Sequence, residues 1–300
     1  ARCGQTSQSR QECDGGVIAA THWRIAPDHE LDLSTPQIMG ILNVTPDSFS
    51  DGGRHNKPAD AVAHAERMAG EGAAIIDIGG ESTRPGAERV AAGEQIRRVV
   101  PVIEAIRSRT DIPISIDTTL ATVAEAALDA GANIINDVSA GTEDEAMLPL
   151  AAQRGCGIVL MHRLCPPEED SWSDQYTKDP EYDGDVVGSV LAWLFVRALV
   201  AIEAGVHPSA ICLDPGLGFG KTVQQNWQLI AGSERFAAIN YPVLAASSRK
   251  SFLAIPAGAA RPEQREPVSL AVTAMQYAAG LRLFRVHDVS AHRHVLEQLG

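Results

Sequence analysis

Eight short polar clusters recur along the 300-residue chain, each directly behind an apolar run. They are residues 43–48 (NVTPDS), 81–86 (ESTRPG), 117–119 (DTT), 136–137 (ND), 161–162 (MH), 214–221 (DPGLGFGK), 247–251 (SSRKS) and 285–288 (RVHD). One chemical group within them is acid and amide: Asp117, Asn136 and Asp214. Such groups drawn into a cup must be paired, or each costs several kcal/mol. A flat heterocycle rich in N–H donors and ring acceptors would pair them. The alternative is that they brace the fold from inside, against Lys250 and nearby backbone. The second group is cationic: Arg84, Arg249, Lys250, Arg285 and His287. In a chain of formal net charge −13 this concentration of bases points to an anion site. Arg285 and His287 stand two apart, so on a strand both project to one face. Phe219 reads as a wall for ring stacking and His162 as a satisfied structural histidine. The glycines of 216–220 would let backbone approach a ligand, but their spacing is too compact for a Walker phosphate loop.

Something must bring these clusters together. A glycine followed by a short β-branched run precedes many of them, as in GAAIID from Gly72, GANIIN from Gly131 and GCGIVL from Gly155. Glycine supplies the left-handed residue that ends a helix, and an unbroken apolar run suits a strand buried on both faces. Eight such strands are expected, at 38–42, 75–78, 114–116, 134–135, 158–161, 211–213, 243–245 and 283–286. The intervals carry helical stripes, among them Val62, Ala65 and Ala69, and Val187, Val190, Leu194 and Ala198. Eight strands alternating with helices predict an α/β fold, a closed (β/α)8 barrel of the TIM type occupying residues 36–300. The strand C-terminal ends then converge on one mouth, and the ends of strands seven and eight are a frequent phosphate location. An open doubly wound sheet is the competitor, but no GxGxxG follows a strand. Residues 1–35 are expected to be an extension: a partly disordered tail up to about Thr21, then a cap or hairpin from Trp23 to Thr35 under the barrel.

Composition narrows the classes further. A hydrophobic content of 45% fits one large core, and the acidic balance argues against a nucleic-acid or anionic-membrane partner. The five cysteines, at 3, 13, 156, 165 and 212, form no CxxC pair and no zinc-ligand spacing, as expected of thiols in a reducing compartment. With no signal-peptide pattern, the reading is cytoplasmic.

Residues 39–53 (MGILNVTPDSFSDGG) resemble, without interruption, the first signature of the dihydropteroate synthases. Residues 79–86 (GGESTRPG) resemble the second, and SIDT (115–118), INDVS (135–139), DPGLGFGK (214–221), SRKS (248–251) and RVHDV (285–289) follow in the family's order. The resemblance implies a homodimeric barrel that condenses 6-hydroxymethyl-7,8-dihydropterin diphosphate with 4-aminobenzoate, giving 7,8-dihydropteroate and pyrophosphate, in folate biosynthesis. It implies an SN1-like reaction assisted by Mg2+, with Asp117, Lys250, Arg285 and His287 catalytic. Asp117, Asn136, Asp214 and Lys250 would hold the pterin. Arg285, His287 and Asn43 would hold the diphosphate, with Asn43 also the metal ligand. Thr83, Arg84, Pro85, Phe219, Ser248 and Arg249 would form the aminobenzoate pocket. The loops 43–53 and 83–86 are expected to move when they close over substrate. Segments 163–185 and 257–267 depart from the family pattern and are expected to lie away from the site. Two alternatives stand beside this one: a methyltransferase barrel that binds a pterin, and a sulfonamide-insensitive or non-catalytic paralogue.

Overall fold

The computed structural model describes residues 20–44, 57–258 and 261–300. The tail expected over 1–21 lies almost wholly outside these residues, as does most of the first signature loop.

The described residues open with an antiparallel hairpin, β1 (His22–Ala26) and β2 (His29–Asp32). Eight parallel strands follow: β3 (Gln37–Asn43), β4 (Ile75–Gly79), β5 (Ile114–Asp117), β6 (Ile134–Asp137), β7 (Gly157–Met161), β8 (Ile211–Asp214), β9 (Leu244–Ala245) and β10 (Leu283–Val286). Their order is β8-β7-β6-β5-β4-β3-β10-β9. A single parallel bridge, Leu213 to Val243, with the Leu213 N–H donating to the Pro242 carbonyl at 2.9 Å, joins the two ends into a barrel. The weak point of the ring is β9, where only two residues keep strand pairing.

Ten helices form the outer layer among the described residues: α1 (Lys57–Gly70), α2 (Ala92–Arg107), α3 (Ala121–Asp129), α4 (Met147–Arg154), α5 (Val186–Glu203), α6 (Val223–Ala231), α7 (Ser233–Ala237), α8 (Ala254–Ala257), α9 (Glu266–Ala278) and α10 (Val289–Leu299). The α5 stripe is as expected, with Val187, Val190, Leu194 and Ala198 buried. On α1 the stripe turns slightly, so that Met68 is buried while Ala69 is half-buried. The glycines after the helices, Gly72, Gly131, Gly155, Gly205 and Gly280, all have positive φ. Helix α5 is the one described helix long and apolar enough, by length and composition, to cross a membrane. Here it packs its buried stripe on the barrel.

Two cores follow from the two-residue period of a strand. Ile38, Leu42, Ile76, Ile78, Phe284 and Val286 point outward into the helix layer. Met39, Ile75, Ile134, Val159, Cys212, Leu244 and Leu283 point inward and fill the lower barrel. The hairpin plugs that lower end: Trp23 and Ile25 are fully buried in the inner cluster, and the Trp23 indole N–H donates to the Ala210 carbonyl at 2.9 Å. Two residues further up several strands the inward positions change character, to Asp77, Asn136, Asp214 and Arg285. Apolar packing below therefore sets polar groups above.

Candidate active site

At the strand C-terminal ends opens a cleft of about 810 Å³. All thirteen site residues expected from the sequence line it: Asn43, Thr83, Arg84, Pro85, Asp117, Asn136, Asp214, Phe219, Ser248, Arg249, Lys250, Arg285 and His287. Asn43, Asp117, Asn136 and Asp214 are themselves strand residues, continuing the ladder past the apolar run.

Arg285 is the hub. Its Nε donates to Asp77 Oδ2 at 2.6 Å and its Nη2 to Asp117 Oδ2 at 2.7 Å, from a side chain only 17% exposed. Asn136 Nδ2 faces both oxygens of Asp77, at 3.3 and 3.5 Å. Asp77 is absent from the expected set. Yet an acid between isoleucines on a buried strand must find a partner, and that signal was legible. Burial raises Asp117 to about 7; Arg285 opposes the rise and Asp77 adds to it. The other Asp117 oxygen, Oδ1, is buried with no hydrogen-bond partner. A buried acceptor left open beside a cleft suits a ligand N–H.

The second acid, Asp214, is raised by burial, with Lys250 and the Gly216 N–H (2.7 Å to Oδ1) working against the rise. Burial lowers Lys250 to about 8, partly offset by Asp214. Its Nζ donates to the Leu217 carbonyl at 2.5 Å and lies 4.7 Å from the Phe219 ring centroid. Internal bracing is therefore real for Asp214 and Lys250, but Asp117 and Asn136 pair elsewhere and remain directed at the cleft.

His287 corrects one expectation. Counted among the cationic groups, it is instead neutral: burial, then Arg249 and Arg285, lower it to about 3. The Ser248 hydroxyl accepts from the His287 backbone N–H at 3.2 Å and lies 3.0 Å from Nδ1. Either tautomer of the neutral ring meets this contact, because the hydroxyl can donate to Nδ1 or accept a second hydrogen bond from it. His287 can offer a hydrogen bond rather than a charge.

Arg249 takes a left-handed backbone, φ 59°, unusual for a side chain of this size. Its N–H donates to Ser269 Oγ at 2.9 Å, its carbonyl accepts from Arg265 Nη1 at 3.0 Å, and its guanidinium pairs with Glu266. These ties aim the residue at the cleft rim.

One expectation is narrowed and another corrected. Of the glycines of 216–220, Gly218 lines the cleft, whereas a side chain on Gly216 would overlap the His162 carbonyl and on Gly220 it would crowd Leu164. Beneath this loop the fully buried Lys221 donates to the carbonyls of Phe219 (2.8 Å) and Gly216 (3.0 Å) and touches His162 Nδ1 at 3.0 Å. His162 is thus satisfied in place, with Trp193 edge-on at 4.9 Å. The segment 163–185 does reach the site. Trp172, Asp174 and Gln175 line the cleft, as do Pro262 and Arg265 of the other divergent stretch. Asp170 accepts from the Gly220 N–H at 2.9 Å and Tyr182 donates to the Gly220 carbonyl at 2.7 Å, folding the segment inward. Nothing in the sequence announces those long-range pairs.

For a metal, no cluster of three His, Cys, Asp or Glu exists among the described residues. Asn43 offers one neutral hard oxygen, and its Oδ1 lies near the side-chain-free position of Gly79 together with Asp117. A lone hard oxygen is compatible with Mg2+, which keeps waters and takes its other oxygens from substrate phosphates.

A model described as "Pterin binding enzyme" matches residues 39–287. The dihydropteroate synthase of Streptococcus pyogenes serotype M6 is 45% identical over 263 residues, covering 87% of this chain and 94% of the relative. The structure of the Xanthomonas albilineans dihydropteroate synthase with 4-aminobenzoic acid superposes with a TM-score of 0.83 at 42% identity, covering 93% of this chain and 97% of that one. The same organism's enzyme in complex with 7,8-dihydropteroate gives 0.80 at 40% identity, covering 92% and 97%.

Proposed function

The chain belongs to the pterin-binding enzymes and, among them, to the dihydropteroate synthases, and from that premise we propose how its own residues divide the work. The reaction transfers a pterin methylene group from diphosphate to the amine of 4-aminobenzoate, forming 7,8-dihydropteroate. Relatives named dihydropteroate synthase at 42–45% identity count against the methyltransferase alternative.

Asp117, Asn136, Asp214 and Lys250 hold the pterin ring, Asp117 using the Oδ1 that has no partner in the free protein. Arg285 and His287 hold the diphosphate. The methylene C–O bond breaks with its electron pair leaving on the diphosphate. Arg285 stabilises that charge; it is a permanent cation, because its two carboxylates outweigh the cost of burial. His287 adds an N–H. The methylene cation left behind is delocalised into the ring, beside the Asp117 carboxylate. The amine of 4-aminobenzoate, set by Phe219, Ser248, Arg249 and residues 83–85, attacks the methylene and then releases its proton. Ionising first suits a nitrogen of aniline type, which is a poor nucleophile. Asn43 would hold Mg2+, which would supply further positive charge at the leaving group.

The observation that carries this reading is the Asp77–Arg285–Asp117 triad, which sets a fixed cation beside an open carboxylate oxygen in one cleft. Purified protein given the pterin diphosphate, 4-aminobenzoate and Mg2+ is expected to release pyrophosphate, and no release would overturn the reading. A homodimer is supported by apolar side chains left exposed on the outer helices, Val196 and Leu199 on α5 and Met275 on α9. Sedimentation of Leu199→Glu as a monomer, beside a dimeric parent, would bear on it. A cytoplasmic setting is supported by the unpaired thiols of Cys156, Cys165 and Cys212.

A further inference from the structure

The loop from β4 to α2 carries Thr83, Arg84 and Pro85 to the cleft. Such a loop has few apolar contacts of its own, so its position must come from polar ties. At its neck the Val90 N–H donates to Glu81 Oε1 at 2.5 Å. On its far side the Gly86 N–H donates to the Pro167 carbonyl at 2.8 Å. Between these two anchors only residues 82–85 are left to find their own place.

What fixes the neck is a chain of charges that runs from Glu81 on the cleft wall to Arg89, Glu143 and Arg163 behind it. Arg89 Nη2 lies 2.5 Å from Glu143 Oε2 and 3.3 Å from Thr119 Oγ1, and its Nη1 lies 3.6 Å from Glu81 Oε2. The other Glu143 oxygen pairs with Arg163, whose side chain is 5% exposed. Thr119, Glu143 and Arg163 stand just beyond β5, β6 and β7 in turn. One carboxylate therefore couples the β4 loop to the tops of the next three strands. Burial disfavours the Glu143 anion, but Thr119 and the two guanidiniums outweigh it and hold the carboxyl below its ordinary range.

We propose that Glu143, acting through Arg89, is a positioning residue that sets the place of residues 82–85 and so the affinity of the enzyme for 4-aminobenzoate. The proposal rests on the reading above that Thr83, Arg84 and Pro85 face that substrate. Glu143 itself does not line the cleft. A carboxylate that only stabilised the fold would affect both substrates alike.

The test is steady-state kinetics of the full chain with pterin diphosphate, 4-aminobenzoate and Mg2+, comparing Glu143→Gln with the parent. The KM for 4-aminobenzoate is expected to rise about five- to twentyfold, since a small displacement of positioning groups is enough for such a loss. The KM for pterin diphosphate and kcat should stay within about twofold. Amide hydrogen exchange over residues 82–88 should quicken about tenfold while the barrel strands keep their protection. Arg89→Met should behave like Glu143→Gln, and Arg89→Lys, which keeps the charge without the fork, should fall between Arg89→Met and the parent. These Arg89 variants also keep the idea testable should Glu143→Gln fail to fold, because Arg89 is partly exposed. Arg84→Ala separates the two layers of the argument. If it leaves the 4-aminobenzoate KM unchanged, the functional reading falls and takes the clamp's role with it. If Arg84→Ala raises that KM but Glu143→Gln does not, the clamp alone is overturned. Parallel loss of both KM values and kcat, with exchange quickened throughout, would overturn it equally.

Discussion

Replacing Asp77 by Asn removes one charge from the centre of the site while keeping its shape. Asp77 accepts from Arg285 Nε at 2.6 Å with no solvent exposure, and Asp117 takes the other edge of the same guanidinium at 2.7 Å. The two acids repel each other across it, and Asp77 adds to the rise of Asp117 from its ordinary 3.8 to about 7. Unit charges 4 Å apart interact by roughly 4 kcal/mol at an effective dielectric of about 20. The acids sit on different edges of one guanidinium, so the share relieved is smaller, about 1–2 pKa units at ~1.36 kcal/mol each. The acid limb of kcat/KM, which reports ionisation of Asp117 in the free enzyme, should therefore move from about 7 down by about one to two units. The maximal rate should fall as well, because Arg285 loses a charged anchor and Asn136 must flip its amide to meet the new one. Stability carries the same signature. A carboxylate raised in the folded state binds its proton there while the unfolded chain has released it, so stability falls as pH rises from about 4 to about 7. Urea unfolding at pH 5 and pH 7 should show that fall in the parent and a smaller one in Asp77→Asn. An acid limb that stays where it was in the variant would refute the coupling, and with it the role given to Asp77.

Three other outcomes are expected. Because Lys250 is lowered to about 8, kcat/KM should decline above that pH, and Lys250→Arg should move the decline to higher pH at a reduced rate; an unmoved limb would assign it elsewhere. Trp23→Ala should cost about 3–5 kcal/mol in urea unfolding by opening a cavity in the barrel floor, with both KM values unchanged; altered kinetics would mean that the floor communicates with the mouth. Trp172→Ala should raise the KM of at least one substrate by about tenfold, for roughly 1.4 kcal/mol of lost wall contact; two unchanged values would return residues 163–185 to the periphery.

Much of the barrel was legible because each strand is an apolar run and five of the eight follow a helix-ending glycine, at 72, 131, 155, 205 and 280, and the boundaries missed by little. Strands β5, β6 and β8 run on through Asp117, Asn136–Asp137 and Asp214. A reading by hydrophobicity stops at those residues, whereas backbone pairing does not. At β9 the opposite happened: Val243 keeps one bridge and leaves the strand to Leu244 and Ala245. The site residues were legible because their types cluster at strand ends, where the fold gathers them. Asp77 sits two residues before its strand ends, among isoleucines, and the one sign of it in the sequence is that an acid buried there needs a partner. The inward fold of 163–185 was beyond reach, since it depends on Asp170 and Tyr182 meeting Gly220 across about forty to fifty residues of chain. The neutrality of His287 depends on burial, which residue type does not disclose.

The proposed chemistry requires two halves of one cleft to take two halves of one ligand. The most direct measurement is a crystal structure with a pterin and pyrophosphate bound together. The ring should lie among Asp117, Asn136, Asp214 and Lys250, with a ring N–H on Asp117 Oδ1, and the pyrophosphate should meet Arg285 and His287. A pterin bound anywhere else, or a pyrophosphate that leaves Arg285 untouched, would contradict it.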